Sequence, residues 1–305
     1  MKMTNEEIGS FFRDIRKARK LTLNDIASDN ITVAQLSKFE RGETVLSFDR
    51  LFRIIDALHL TIEEFSYAIN GYENDELTQY GLQISEAYDQ RDISRLQKMF
   101  DEYRNLENLT SDDRIKKIFV STALYKLNKY SKETFQIEAD DIRFVADYLM
   151  SIDEWTMYDM VLFSEIMWMM NIETVKTLAK ELIYRDSFYS GILNNKQFSV
   201  VILINIYCRM ILEFDRQSCR FFKNRISEML SDYSGLVEEK IYFDFARAFE
   251  DYTFNNSQDG LYKMENIIDY TSKLELFKIS SHLKSQYDNL LAQLQEKTTI
   301  YENDK

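Results

Sequence analysis

The sequence contains no proline and only seven glycines in 305 residues. Strand-rich folds need many tight turns, and those turns draw on Gly and Pro. Their scarcity argues against a sandwich or barrel and for long helices joined by short connections. Cys208 and Cys219 are the only cysteines. Two thiols in a chain this long build no disulfide framework and fit a reducing compartment. Each reads most simply as a small buried side chain. A redox pair is the other reading, because they lie at the end of one expected helix and the start of the next. His59 and His282 are the only histidines, and neither is spaced to activate a thiol. There is no Gly-rich phosphate loop and no cluster with metal-ligand spacing. Nothing therefore points to catalysis, a cofactor or a metal. No apolar run reaches 18 residues, and the segment after Met1 is polar with acidic residues. No membrane span or signal core is expected, and the expected compartment is the cytoplasm.

The net charge is −13, which argues against general nucleic-acid binding. Its distribution is uneven. Residues 1–65 hold 10 Lys and Arg against 11 Asp and Glu, net −1, so the remaining 240 residues carry the other −12. Any contact with phosphate must come from a local basic face in the first part.

That first part reads as five short helices. Thr4 and Glu7 have capping-box spacing, and Ile8, Phe11, Phe12 and Ile15 follow as an apolar stripe. A very short helix is expected over 23–27. Thr32 is placed to cap the next, over 33–40, with Gly42 as terminator. Ser47 starts a fourth, with Leu51, Ile54, Ile55 and Leu58 inward, and Thr61 starts a fifth. Two short helices packed through Ile26, Ala27, Leu36 and Phe39 make a helix-turn-helix, whose second helix presents its N-terminal half to the major groove. The basic residues Arg13, Arg16, Lys17, Arg19 and Lys20 just before it, and Arg41 after it, are candidate phosphate contacts. Thr32 can also reach a phosphate. Glu40, acidic and close to DNA in this reading, is expected to pair with Arg16 or Arg19.

Gly71 and the polar run that follows it mark a boundary. The expected division is 1–66, a linker over 67–75, and 76–305. Beyond it, helical stretches alternate with two- to six-residue breaks: 75–90, 92–107, 111–130, 138–151, 154–170, 172–187, 195–213, 215–232, 236–254, 258–274 and 277–297. The period per helix pair is about 40 residues, that of helical-repeat solenoids. The fold class is all-α: a small helix-turn-helix domain followed by a TPR/HEAT-like helical repeat with a concave face.

The run Gln35-Leu36-Ser37-Lys38-Phe39-Glu40-Arg41-Gly42 resembles the XRE-type helix-turn-helix of lambda-repressor-like domains, over residues 8–65. The resemblance implies that Val33, Ala34, Ser37 and Lys38 face the groove. Val33 and Ala34 suit thymine methyl groups, and Lys38 can donate to guanine O6 or N7. One position departs from the family: Leu23 stands where a Gln often contacts phosphate.

The stretches Asp147-Tyr148-Leu149-Met150-Ser151-Ile152-Asp153-Glu154-Trp155-Thr156-Met157-Tyr158-Asp159-Met160-Val161-Leu162-Phe163 and Val200-Val201-Ile202-Leu203-Ile204-Asn205-Ile206-Tyr207, taken with the helix-turn-helix, resemble the Rgg/GadR/MutR regulators of Gram-positive bacteria. The likeness spans residues 4–297 and extends to the wider RRNPP group. It implies a homodimeric transcription regulator that binds double-stranded DNA at an operator and holds a short signalling peptide in the concave groove. With the first helix of each pair lining that groove, Trp168, Asn171, Asn205, Arg209, Asp244 and Arg247 are the candidate peptide contacts. Two other readings stay open. The repeats bind a protein partner or small molecule instead, or the helix-turn-helix no longer binds DNA and the chain is an adaptor.

Overall fold

The computed structural model describes residues 3–28, 30–70, 76–106, 108–128, 135–185, 192–231 and 235–303. Those residues form sixteen helices and no strand. Gly71 and residues 72–75, the expected boundary, lie outside them. The chain divides into two compact units, Met1–Ala123 and Leu124–Lys305.

The first unit opens with α1 (Asn5–Ala18), α2 (Leu23–Ile26), α3 (Val33–Glu40), α4 (Phe48–Ala57) and α5 (Ile62–Ile69). Thr4, Thr22, Thr32 and Thr61 start four of these with reciprocal capping boxes to Glu7, Asp25, Gln35 and Glu64. Each box satisfies two backbone donors that a helix start otherwise leaves unpaired. Their core is Phe12, Ile26, Ile31, Leu36, Phe39, Ile54, Ile55 and Leu58, with Leu23 packed against it. The Phe12 ring sits 5.3 Å from that of Phe39 and 5.5 Å from that of Phe65. α6 (Glu76–Asp89) and α7 (Ile93–Arg104) then pair as a hairpin.

α8 (Ser111–Asn128) runs across the division between the units. The second unit continues with α9 (Ala139–Ser151), α10 (Met157–Ile166), α11 (Ile172–Arg185), α12 (Leu193–Leu212), α13 (Arg216–Ser231), α14 (Val237–Asn255), α15 (Gln258–Lys273) and α16 (Phe277–Asn303). Its core helix is α12, which packs on α10, α11, α13, α14 and α16.

The repeat is visible in the bonds between neighbouring pairs. Lys126 reaches Glu165 across 39 residues, Ser199 reaches the Met160 sulfur across 39, and Arg216 reaches the Phe254 carbonyl across 38. Arg209 reaches the Met170 carbonyl, also across 39. Early residues of α12 thus meet early residues of α10, and late meet late. The two helices run parallel, as the first helices of successive pairs must.

The turns resolve how a chain so poor in Gly and Pro can be built of hairpins. Non-glycine residues take the left-handed conformation: Arg91 between α6 and α7, Phe214 between α12 and α13, Asn256 between α14 and α15, and Glu275 between α15 and α16. Such a conformation costs an L-residue roughly 1–2 kcal/mol. Tight backbone bonds offset it, as where Phe214 and Asp215 donate to the Ile211 and Met210 carbonyls.

One helix is shorter than its pattern. The expected 154–170 stretch is helical only over Met157–Ile166. Thr156 and Asp159 form a capping box that fixes its start, and the Tyr148 hydroxyl donates to Asp159 at 2.7 Å. Trp155, just outside, is buried and donates its indole N–H to the Leu149 carbonyl at 3.3 Å. The helix ends where Arg209 takes the carbonyls of Met167 and Met170.

Candidate nucleic-acid interface and ligand face

In the first unit, α3 is held against α1 by two devices. Gly9 is the point of contact: a Cβ there would lie 2.3 Å from the Phe39 carbonyl oxygen. Arg16 then clamps Glu40. Its Nε donates to Oε1 at 2.6 Å and its Nη2 to Oε2 at 2.8 Å, while Nη1 donates to the Leu21 carbonyl at 2.8 Å. Both side chains are about nine-tenths buried, at 11% and 9% exposure. Bidentate geometry of this kind is strong and directional.

The expectation for Glu40 is therefore met by Arg16, itself one of the candidate phosphate contacts. All three guanidinium nitrogens of Arg16 are already engaged inside the protein. The other basic residues differ. Lys17, Arg19 and Lys20 are exposed, and Arg13 is half-buried with Nη2 on Ser10 Oγ at 3.0 Å.

On α3 itself, Thr32, Val33, Ala34 and Lys38 are exposed and Ser37 is half-exposed. Positions 33, 34, 37, 38 and 41 fall on one helical face, spaced by three and four residues. The Lys38 ammonium makes no hydrogen bond among the described residues. Thr32 spends its hydroxyl as the cap of α3, accepting from the Gln35 N–H at 3.2 Å. Leu23 is half-buried against the core, so apolar packing occupies the place of the absent Gln. Arg41 is exposed and hydrogen-bonds Ser37 and Glu43. Glu43 was not anticipated. Its carboxyl is held below the usual range, first by the Arg41 hydrogen bond and then, against burial, by the charges of Arg41 and Lys38.

Two family models match the chain. One, a helix-turn-helix, covers residues 12–65; the other, HTH-type transcriptional regulator Rgg, C-terminal domain, covers residues 95–289. The chain belongs to the Rgg family. That places it among transcription regulators rather than enzymes. Solved structures share its fold. The SHP pheromone receptor Rgg2 of Streptococcus dysgalactiae is 19% identical, with a TM-score of 0.76 over 93% of this chain and 99% of that one. A putative transcriptional regulator from Listeria monocytogenes EGD-e is 16% identical, with a TM-score of 0.77 over 97% of this chain and 99% of that one. PrgX in its complex with cCF10 is 14% identical, with a TM-score of 0.70 over 95% of this chain and 93% of that one.

In the Rgg-type second unit, the candidate peptide contacts separate into distinct kinds. Arg209 is buried and bonds the Met167 and Met170 carbonyls, so its guanidinium caps α10. Burial disfavours its charge, and Glu213 and Tyr125 counter this only in part. Asn171 caps α11, accepting from the Thr174 N–H at 2.9 Å. Asp244 pairs with Lys240 and with Arg247 at 3.4 Å on an accessible face of α14, where Arg247 also sits 5.8 Å over the Phe243 ring.

Trp168 and Asn205 remain. Both are half-buried, and neither polar group has a hydrogen-bond partner among the described residues. Arg209 brings their neighbourhoods together. It holds the carbonyls on either side of Trp168, and Asn205 lies one turn before it on the same face of α12. The accessible residues of α10 and α12 include the apolar side chains Tyr158, Val161, Phe198 and Val201.

Cys208 and Cys219 are free and buried, and burial pushes both thiols up to about 12. At neutral pH they are protonated and poorly nucleophilic.

Proposed function

We propose that this Rgg-family regulator reads an operator in double-stranded DNA with α3, as a cytoplasmic homodimer, and that its helical repeats hold a short signalling peptide. The observation that carries the DNA reading is the exposed face of α3. Val33 and Ala34 offer methyl contacts to thymine, and Lys38 offers an uncommitted donor to guanine. Lys17, Arg19 and Lys20, with Arg13 half-buried beside them, supply the phosphate contacts; Arg16 does not. A single recognition helix reads few base pairs, so two copies on half-sites about 34–36 Å apart give the needed specificity. We keep 1–66 as the DNA-reading part, 67–75 as linker and 76–305 as the regulatory and dimerising part.

The peptide reading rests on Trp168 and Asn205. A carboxamide presents both a donor and an acceptor, which is what an extended peptide backbone offers in return. The SHP pheromone receptor Rgg2 has the same fold, which supports the assignment.

Salt-dependent binding to promoter fragments tests the DNA reading. Lys38→Ala is expected to cost about 1–3 kcal/mol on the operator and to relax discrimination there. Lys17→Ala is expected to weaken binding to every sequence and to flatten the slope of log K on log salt by about 0.9. Equal losses on all DNA for Lys38→Ala would rule out base reading by that residue.

A further inference from the structure

The end of α3 has a feature that the operator reading does not use. Gly42 adopts φ of +72°, its N–H donates to the Phe39 carbonyl at 2.8 Å, and the Glu43 N–H donates to the Lys38 carbonyl at 2.9 Å. This Schellman turn folds the chain back along the helix it has just left. Glu43 is thereby laid beside Lys38 and Arg41. Its two carboxylate oxygens take Arg41 Nε at 2.5 Å and Nη2 at 3.0 Å, and Arg41 Nη1 is on Ser37 Oγ. A guanidinium fork gripping a carboxylate has the geometry with which it would grip a phosphate. Both members are about half exposed, at 48% and 49%, so the pair adds little to stability.

We propose that Glu43 sets the threshold for DNA binding by occupying the guanidinium of Arg41, so that a phosphate must displace an internal carboxylate before Arg41 can contribute. This inference rests on the reading of α3 as the DNA-contacting helix. The pair forms within three residues and is intact without DNA. A weak encounter with arbitrary sequence leaves Arg41 latched. A register in which Lys38 finds its base brings phosphate close enough to exchange with the carboxylate. Glu43 is in this sense a specificity-determining residue that touches no base.

The test is a double-mutant cycle read by fluorescence anisotropy on a short random-sequence duplex across salt. The variants are Glu43→Gln, Arg41→Gln and both together. Freeing one phosphate contact steepens the slope of log K on log salt by about 0.9, roughly a 3.5-fold extra change in affinity between 50 and 200 mM. Glu43→Gln is expected to show that steepening and tighter binding to random DNA, with an unchanged melting temperature. In the Arg41→Gln background the same substitution is expected to leave the slope where it was. An equal gain in both backgrounds means that Glu43 merely repels phosphate, and overturns the latch. So does wild-type binding with no response to Glu43→Gln. A wild-type protein with no salt-dependent DNA binding removes the underlying reading of α3 instead, a result distinct from either.

Discussion

Arg16 on α1 grips Glu40 at the end of α3 through two parallel bonds, 2.6 and 2.8 Å, with both side chains almost out of water. The pair fixes the angle at which α3 leaves the domain. A third bond to the Leu21 carbonyl ties the turn before α2 to the same guanidinium. Removing one partner of such a pair leaves the other charge buried, which costs about 3–5 kcal/mol. Arg16→Met is therefore expected to lower the unfolding free energy of the helix-turn-helix part by that amount. Arg16→Met combined with Glu40→Leu is expected to recover most of it, because two apolar side chains can fill the space. Urea unfolding of the three variants checks this. Arg16→Met that leaves stability alone and flattens the salt dependence of DNA binding would return Arg16 to the phosphate contacts.

Gly9 sets the closest approach of the same two helices. A methyl group there would fall 2.3 Å from the Phe39 carbonyl oxygen and 3.0 Å from the Glu40 carbonyl. Both contacts are with backbone, so relief requires the helices to part. Gly9→Ala raises helix propensity, worth at most about 1 kcal/mol. The clash, at about 1–3 kcal/mol or more, outweighs it. The expected result is a lower melting temperature, and a rise would show that α1 can slide along α3. On the recognition helix the same movement is expected to shift Lys38 and weaken operator binding beyond the loss in stability.

What the sequence made legible was mostly local. Capping boxes at Thr4, Thr32 and Thr61 act over three residues, so their spacing alone locates three helix starts. The repeat period was legible because burying one face of each helix enforces apolar spacing along the whole chain. Gly9 was not legible: its reason is the Phe39 carbonyl, thirty residues away. The length of α10 was not either. Its apolar pattern runs to 170, and Arg209, on another helix, decides where it stops. The surroundings of the candidate ligand contacts were hidden for the same reason. An Arg on an apolar helix looks alike in sequence whether it faces a ligand or the carbonyls of a neighbouring helix end.

Arg209 and Asn205, one turn apart on α12, should separate cleanly by experiment. Arg209→Leu strips the Met167 and Met170 carbonyls of their donors in a buried place. An unsatisfied buried group costs about 1–3 kcal/mol, so the loss is expected in stability. Asn205→Leu removes a carboxamide that has no hydrogen-bond partner among the described residues. It is expected to leave stability unchanged or slightly raised, and to weaken peptide binding in calorimetry by about 1–3 kcal/mol as the peptide backbone loses its bonds. Unchanged peptide affinity in Asn205→Leu would take that residue out of the ligand face.

Acid should act on the second unit through Asp215. This residue starts α13, accepting from the Ser218 N–H at 3.0 Å, and pairs with Lys176 of α11 at 2.7 Å. Burial raises its pKa, but the bonds from Lys176 and Ser218 outweigh burial and bring it down to about 2. A carboxyl whose folded pKa lies below its unfolded value stabilises the fold above the unfolded pKa, near 4, and loses that contribution as pH falls towards the folded one. The contribution is at most about 2.5 kcal/mol, since one pKa unit corresponds to 1.36 kcal/mol. Wild-type stability is thus expected to fall between about pH 4 and pH 2, less steeply in Asp215→Asn. At pH 7, Asp215→Asn is expected to be the less stable protein, because among the described residues Lys176 then keeps only Glu173, 77% exposed, as its partner. Denaturant unfolding of both proteins at pH 7 and pH 3 measures the difference. A gap that does not narrow at pH 3 would show that the Lys176 pair contributes nothing to folding.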